Sequence, residues 1–399
     1  MNILILTSEY PFVQDKNPDR TRVVGYFARA WARQGHRVAA VVDSSAFPSA
    51  LDRLGRMAGR LLTRLYPVSQ MPDGLWARRF SFFDQGVQVE NLPMQKRLPH
   101  GRFSKRQLER QIADIESLLD RQGFVPDVVV GHWVNPQIML APALAKRYGA
   151  RSAFVFHGDW KKRICRKFRV QTYLNQIDHV GFRSPSARAA AKEYLRFREE
   201  PFIAASGVPE DWITKEDRAF DGAALRLLSA ARLVKGKQIG AIADACAAAF
   251  RDIPFTWTVA GEGPERPALE KRIKKRGISP CVRLLGQIPR EELRGLMRGS
   301  DVFALISEGE TFGLVYLEAM AQGCIPVASR GGGADGIIRE GENGFLCRAG
   351  DAEELSAVLR RIAALPPEEK RRISRAAVET AREYTEDKAA KRYLDWASR

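Results

Sequence analysis

Residues 302–328 read Val302-Phe-Ala-Leu-Ile-Ser-Glu-Gly-Glu-Thr-Phe-Gly-Leu-Val-Tyr-Leu-Glu-Ala-Met-Ala-Gln-Gly-Cys-Ile-Pro-Val-Ala328. The first apolar run, 302–305, suits a strand buried on both faces. A small-residue turn with Gly309 and Gly313 follows, then a helical stretch over 312–322 and a second apolar run at 325–328. Strand, helix and strand in so short a span make a parallel βαβ unit, because parallel neighbours need a crossover that a helix supplies.

The same alternation extends in both directions. In the first half, apolar runs at 3–6 and 37–42 flank a helical stretch at 24–34, and runs at 127–130 and 152–156 flank one at 136–148. In the second half, 225–230 leads through a helix at 239–250 to 255–260. A basic helix at 265–276, a run at 282–285 and a helix at 291–299 come next, and a strand near 344–346 follows the quoted unit. Repeated βα units with short connections predict an α/β chain of two doubly wound, Rossmann-like domains. With 399 residues the chain is also too long for one core. The seam is expected near 207–223, where Ser206-Gly-Val-Pro209 breaks the periodicity. That places domains at 1–206 and 207–385, with a closing helix at about 386–399 packed back on the first. Ligands of open α/β sheets bind at the carboxyl ends of the strands, so two facing domains are expected to enclose a cleft. Residues 44–101 are the hardest to assign.

Lys and Arg number 64 against 47 Asp and Glu, a formal charge of +17. The excess favours an anionic partner: nucleotide phosphates, a phosphorylated acceptor or an anionic lipid surface. Nucleic acid would also explain the charge, but no recognised binding module is present, so it is not expected as a partner. The five cysteines (Cys165, Cys246, Cys281, Cys324, Cys347) are scattered, odd in number and without a C-x-x-C pair. They suggest a reduced, cytoplasmic setting with neither a disulfide frame nor a zinc site. The start, Met1-Asn-Ile-Leu-Ile-Leu-Thr-Ser8, reads as a buried strand and not as a secretory leader, and no run nears the roughly 20 apolar residues that span a bilayer.

The turn and helix after 302–305 carry the strongest chemical signal. A helix start after a strand presents backbone N–H groups and the positive end of the helix dipole, which suits a diphosphate. Glu310 lies in the turn, whereas Glu318 lies more than one turn inside the helix. The two carboxylates therefore reach different parts of one extended ligand, and carboxylates accept hydrogen bonds from sugar hydroxyls. Glutamates eight apart, with Phe-Gly between them and Glu-Ala-Met-Ala-x-Gly-x-Pro-Val after them, resemble the signature of family 4 retaining glycosyltransferases. A helix start with incidental surface glutamates is the plain alternative, and the match of the whole string weighs against it.

This resemblance implies the GT-B fold and transfer of a sugar from a nucleotide-sugar, with a UDP-sugar favoured and GDP-mannose second. It implies that Glu310 contacts the donor sugar and Glu318 the ribose, while Phe312, Gly313 and Leu314 offer backbone amides to sugar and phosphates. Ala230-Ala-Arg-Leu-Val-Lys-Gly-Lys-Gln238 resembles the family's Gly-Arg-Leu, three residues, Lys-Gly element. Arg232 and the in-register Lys237 would neutralise the diphosphate leaving group, with Lys235 as competitor. Val259-Ala-Gly-Glu-Gly-Pro264 and Leu284-Leu-Gly-Gln-Ile-Pro289 resemble loops around the nucleotide base. Gly261 and Gly263 would permit close backbone approach there, and Gln287 and Ile288 would meet the base edge, a plain turn being nearly as apt.

In the first half, Phe154-Val-Phe-His-Gly-Asp159 resembles the family's strand-end histidine, which would set His157 against the donor sugar or its phosphate. Gly131-His132-Trp133 resembles a position facing the acceptor. Asn17-Pro-Asp-Arg-Thr-Arg22 stands where relatives carry a glycine-rich loop; here the loop is basic, with Arg20 and Arg22 as acceptor candidates. Two further departures are Ser206 for the usual asparagine before Gly-Val, and Gly336, with Asp335 beside it, at an expected acidic position.

No Asp-x-Asp motif or ligand cluster appears, so the expected enzyme uses neither metal nor cofactor. The family implies front-face transfer with the departing phosphate oxygen taking the acceptor's proton, and Glu310 and His157 positioning the sugar. Two basic segments bear on the acceptor. Arg53, Arg56, Arg60 and Arg64 alternate with Leu51, Leu54, Met57, Leu61 and Leu65 at helical spacing, which fits an anionic membrane surface or ordinary packing. Lys161-Lys-Arg163 and the cations up to Arg169 would receive a phosphate or lipid headgroup. A saccharide or lipid-linked acceptor, of lipopolysaccharide type, and peripheral placement on the inner membrane face follow as expectations. A soluble-acceptor synthase or phosphorylase, a nucleotide-sugar epimerase and a non-catalytic GT-B partner subunit are the alternatives.

Overall fold

The computed structural model describes residues 1–12, 21–46, 78–96, 101–158 and 162–399. The chain divides into two compact units, one of residues 1–183 with 188–204 and 389–399, the other of residues 184–187 with 205–388.

The first unit holds β1 (Asn2–Thr7), β2 (Arg37–Val42), β3 (Ser45–Ala46), β4 (Phe80–Asp84), β5 (Val87–Asn91), β6 (Met94–Gln95), β7 (Val128–His132), β8 (Arg151–Phe156), β9 (His179–Phe182) and β10 (Phe202–Ile203). Eight of them form one sheet in the order β10-β9-β8-β7-β1-β2-β5-β4, and β3 pairs with β6. The order reverses between β7 and β1, which is where a doubly wound sheet opens its binding crevice. Only β4 runs antiparallel, against β5, at the sheet edge.

Strand parity explains why the runs read as continuously apolar. Ile3, Ile5, Val38, Ala40, Val128, Val130, Ala153 and Val155 face one layer, which contains Val24, Phe27, Ala28 and Trp31 of the helix Val23–Arg33. Leu4, Leu6, Ala39, Val41 and Val129 face the other layer, beneath the helices Lys105–Arg121 and Gln137–Tyr148. With both faces covered, alternation of polar and apolar residues disappears. The longer of these helices starts on a capping box, Ser104 with Gln107, which satisfies two orphan N–H groups at once. The helix Glu386–Ala397 completes the first layer with Ala389, Ala390, Tyr393, Leu394 and Ala397. Trp31 Nε1–H donates to the Ala390 carbonyl at 2.8 Å.

The second unit holds β11 (Leu225–Ala230), β12 (Phe255–Ala260), β13 (Val282–Gly286), β14 (Val302–Leu305), β15 (Ile325–Ser329) and β16 (Phe345–Cys347). Their order is β13-β12-β11-β14-β15-β16 and every pairing is parallel. The reversal lies between β11 and β14, so the loops after these two strands flank the crevice. Gly207, which follows the serine that departs from the family pattern, has a backbone reason to be glycine. A Cβ there would lie 2.3 Å from the Thr385 backbone, beside the bridge between Val208 and Thr385.

Candidate functional site

The loop after β14 is held from several sides. Tyr316 Oη–H donates to the Leu305 carbonyl at 2.6 Å, Ser329 Oγ–H to the Ser307 carbonyl at 2.7 Å, and the Glu308 N–H to the Gly236 carbonyl at 2.8 Å. Gly313 sits at the N-cap of the helix Leu314–Ala321 with φ +71° and no side-chain cap. A Cβ at Gly313 would meet the Tyr316 ring at 2.5 Å, and one at Gly333 would meet the Phe312 backbone at 2.5 Å. The turn is thereby fixed, and Glu310 with it.

Each glutamate of the spaced pair meets a cation of its own unit. Lys237 Nζ lies 2.5 Å from Glu310 Oε2, both side chains being mostly covered. Of the two competing lysines, it is Lys237 that reaches Glu310. Lys235 is exposed at the other side of the short turn Lys235–Lys237, near Gln238, Ala268 and Arg272. Arg232 is exposed on the same loop. At the other end of the segment, Arg290 Nε and Nη2 donate to Glu318 Oε1 at 3.0 and 2.7 Å. Glu318 is 7% exposed, and the Arg290 guanidinium lies 4.4 Å over the Trp212 ring. Charge-assisted forks of this kind fix geometry as well as charge. Sequence reasoning missed Arg290. Its one signal is position, since it opens the helix Arg290–Gly299 directly after the Gln287–Ile288 loop. In that loop Gln287 is exposed and Ile288 half-buried.

Gly261 and Gly263 serve the chain's own loops. Their φ values are +143° and +157°, and a Cβ would lie 1.8 Å from the Ala231 carbonyl oxygen and 2.3 Å from that of Leu233. The loops are stitched by Ala231 N–H to Ala260 C=O at 3.0 Å and Leu233 N–H to Glu262 C=O at 2.8 Å. The close approach that the resemblance assigns to a ligand is, in this structure, the approach of the Arg232 loop.

In the first unit the pleat places the histidines. His132 continues the Val128, Val130 row of β7, and His157 continues the Ala153, Val155 row of β8, so both belong to the face covered by the last helix. His132 is 0% exposed, with Nδ1 2.7 Å from His157 Nε2 and Nε2 3.3 Å from Tyr393 Oη. Expected at an acceptor surface, it stands instead behind His157, and strand parity was the signal that would have put it there. The Trp133 ring stacks on His157 at 4.7 Å, from a left-handed backbone with φ +72°. Arg22 and Arg163 are exposed. Arg20, Lys161 and the basic stretch 51–65 lie outside the described residues.

Burial governs the charge states here. Desolvation first, then the Arg183 guanidinium, lowers the His132 pKa to about 3. His157 is pushed well below its ordinary value by desolvation, then by His132 and Arg183. Asp43, at the end of β2, is raised to about 7 by burial, against hydrogen bonds from Gln111 and Gln137. The signs oppose. Below pH ~6.5 unfolded histidines take up protons that the folded pair refuses, so acid destabilises the fold. Asp43 keeps its proton in the folded state while the unfolded carboxyl releases it, so over the same window acid favours the fold. Asp43→Asn removes the compensating proton. Its unfolding free energy should fall more steeply than wild type between pH 6.5 and 5, by about 1.4 kcal/mol per pH unit. Parallel slopes in urea titrations across this range would contradict the assignment.

Among the described residues, no group of three or more His, Cys, Asp or Glu is placed to hold a metal. No helix among them is long and apolar enough to cross a membrane.

Comparison with known proteins matches residues 210–380 to the family described as glycosyl transferases group 1 and residues 21–203 to the glycosyl transferase 4-like domain. The amylovoran biosynthesis glycosyltransferase AmsK of Erwinia amylovora is 33% identical over 145 residues, 35% of this chain and 36% of AmsK. The lipopolysaccharide core biosynthesis glycosyltransferase LpsE of Rhizobium meliloti is 36% identical over 110 residues, 28% of this chain and 32% of LpsE. The matched stretches thus span about a third of these curated relatives. Among solved structures, Anabaena HepE in complex with UDP superposes with a TM-score of 0.70 over 99% of both chains at 17% identity, a likeness of fold.

Proposed function

Because this chain belongs to the glycosyltransferases of group 1 with a family 4-like first domain, on the GT-B fold, we propose that it is a retaining hexosyltransferase using a nucleotide-sugar. A UDP-sugar is the favoured donor and GDP-mannose the second; the acceptor is a saccharide or a lipid-linked glycan. The observation that carries this reading is the pair of ion pairs, Lys237 with Glu310 and Arg290 with Glu318. Donor entry exchanges their partners. Sugar hydroxyls replace Lys237 on Glu310, ribose hydroxyls replace Arg290 on Glu318, and Lys237 turns with Arg232 to the diphosphate. Amides at Phe312, Gly313 and Leu314 complete the anion site at the helix start. Gln287 and Ile288 take the base. This donor set needs no metal or cofactor, and the leaving phosphate oxygen accepts the acceptor's proton.

UDP heads the order because the HepE structure of like fold carries it. The acceptor class rests on AmsK and LpsE, whose names place them in amylovoran and lipopolysaccharide core biosynthesis. Exposed Arg22 and Arg163 suit an anionic acceptor, and a cytoplasmic enzyme peripheral to the inner membrane face is the setting proposed.

The test is a thermal-shift panel of UDP, GDP and ADP with their common sugar conjugates, on wild type and Glu318→Ala. At a hundredfold excess over Kd, binding stabilises the native state by about 2.7 kcal/mol, which raises the melting temperature of a unit of this size by about 5–10 °C. One nucleotide should give that rise in wild type and lose it in the variant. No shift with any of them would sink the donor reading.

A further inference from the structure

We propose that Tyr393, in the last helix, sets the hydrogen-bonding direction of His157 through His132, so that His157 presents its Nδ1–H to a ligand as a donor. Three rings stand in series. Tyr393 Oη is 3.3 Å from His132 Nε2, and His132 Nδ1 is 2.7 Å from His157 Nε2. All three belong to the same compact unit. Tyr393 is 1% exposed and wedged edge-on against Phe27 and Trp31 at 5.0 and 5.1 Å, so its hydroxyl has little freedom to turn elsewhere.

A neutral imidazole has one N–H and one bare nitrogen, so the direction of one bond in the series fixes the next. Burial beside Arg183 keeps both histidines neutral, and burial keeps the phenol protonated. Two directions are then open. In one, Tyr393 donates to His132 Nε2, His132 Nδ1–H donates to His157 Nε2, and His157 carries its proton on Nδ1. In the other, every bond reverses, and the Tyr393 hydroxyl proton must find another acceptor. Among the described residues His132 is the sole hydrogen-bond partner of that hydroxyl. Reversal would therefore leave a buried donor unsatisfied, which is the expensive outcome. A phenol is also a better donor than acceptor. The first direction wins on both counts.

The consequence reaches the chemistry. A His157 with Nε2 already accepting and Nδ1 protonated offers a hydrogen bond to a hydroxyl or phosphate oxygen, and it has no free lone pair with which to take a proton. This rests on the proposed function only in naming the ligand. Within that reading it agrees with a reaction whose proton leaves with the phosphate. Tyr393 is then a positioning residue, some 261 positions along the chain from His132.

The experiment is long-range proton–nitrogen NMR of the full chain labelled at histidine nitrogens, with the His157 signals identified by their loss in His157→Gln. Wild type should show His157 protonated at Nδ1 and bare at Nε2. Tyr393→Phe keeps the ring and deletes the hydroxyl, so the bias is lost and the opposite tautomer should become populated beside the first. A bare Nδ1 in wild type overturns the proposal, as does an unchanged His157 spectrum in a folded Tyr393→Phe protein. Should that variant fail to fold, the wild-type spectrum alone still decides the direction. With the donor found by the thermal panel, Tyr393→Phe should lose about tenfold in kcat with the donor KM unchanged, and wild-type kcat would count against the role. If no nucleotide-sugar supports transfer, the functional reading fails, and the nitrogen spectra still judge the proposal.

Discussion

Glu310→Gln should lower turnover by about a hundredfold to a thousandfold while nucleotide affinity holds or improves. The substitution preserves shape and removes charge. Glu310 sits in the fixed turn before the helix Leu314–Ala321, where its carboxylate is held by Lys237. In the proposed reaction that carboxylate receives hydroxyl hydrogen bonds from the sugar as positive charge develops at the anomeric carbon. A neutral amide stabilises that charge poorly, and most of the loss belongs to the transition state. Lys237, released from its ion pair, is meanwhile free to meet the diphosphate, so the ground state does not suffer. The measurement is kcat beside a nucleotide dissociation constant. A fall in affinity with unchanged kcat would mean that Glu310 only binds, and the assignment of roles within the pair would have to be redrawn.

The second large effect is on folding. Gly261→Ala should destabilise the second unit by about 3–5 kcal/mol. Its Cβ would be placed 1.8 Å from the Ala231 carbonyl oxygen, and φ +143° is a conformation that side chains rarely adopt. The neighbouring backbone cannot yield cheaply, because Gly261 N–H is bonded to Gly286 C=O at 2.7 Å and Ala231 N–H to Ala260 C=O at 3.0 Å. Gly277→Ala is the control in the same unit. It too has a positive φ, +71°, but nothing within 4 Å of its Cβ, so it should cost only about 1–2 kcal/mol. Urea unfolding of the two variants separates clash from dihedral strain. Equal losses would show that the loops after β11 and β12 can move apart, and that the Arg232 loop is not held where the structure has it.

Most of the architecture could be read from the chain because burial on both sheet faces leaves an unmistakable mark. Runs such as 3–6 and 302–305 are apolar at every position, which surface strands are not. The edge strand β4, with Phe83 70% exposed, lacks that mark, and it lies in the stretch that is hardest to assign from sequence. At the site, the strand, turn and helix that carry Glu310 and Glu318 were legible because they are local. Arg290 and Tyr393 were not, since no spacing rule joins position 290 to 318 or 393 to 132. Those contacts exist only after sheets and helices pack. His132 was found for the wrong face. Attention to the end of the strand missed its parity with Val128 and Val130, which points it at the last helix.

The return of residues 389–399 to the first unit has a consequence for biosynthesis. On the ribosome, residues 1–204 are made before residues 205–388, but the strip that covers Phe27 and Trp31 is made only after them. Until then the Trp31 indole lacks the Ala390 carbonyl, and a sizeable apolar face stays uncovered. Residues 205–388 suffer no such delay. The unit that is begun first is therefore the one whose core is completed only after the other has been made.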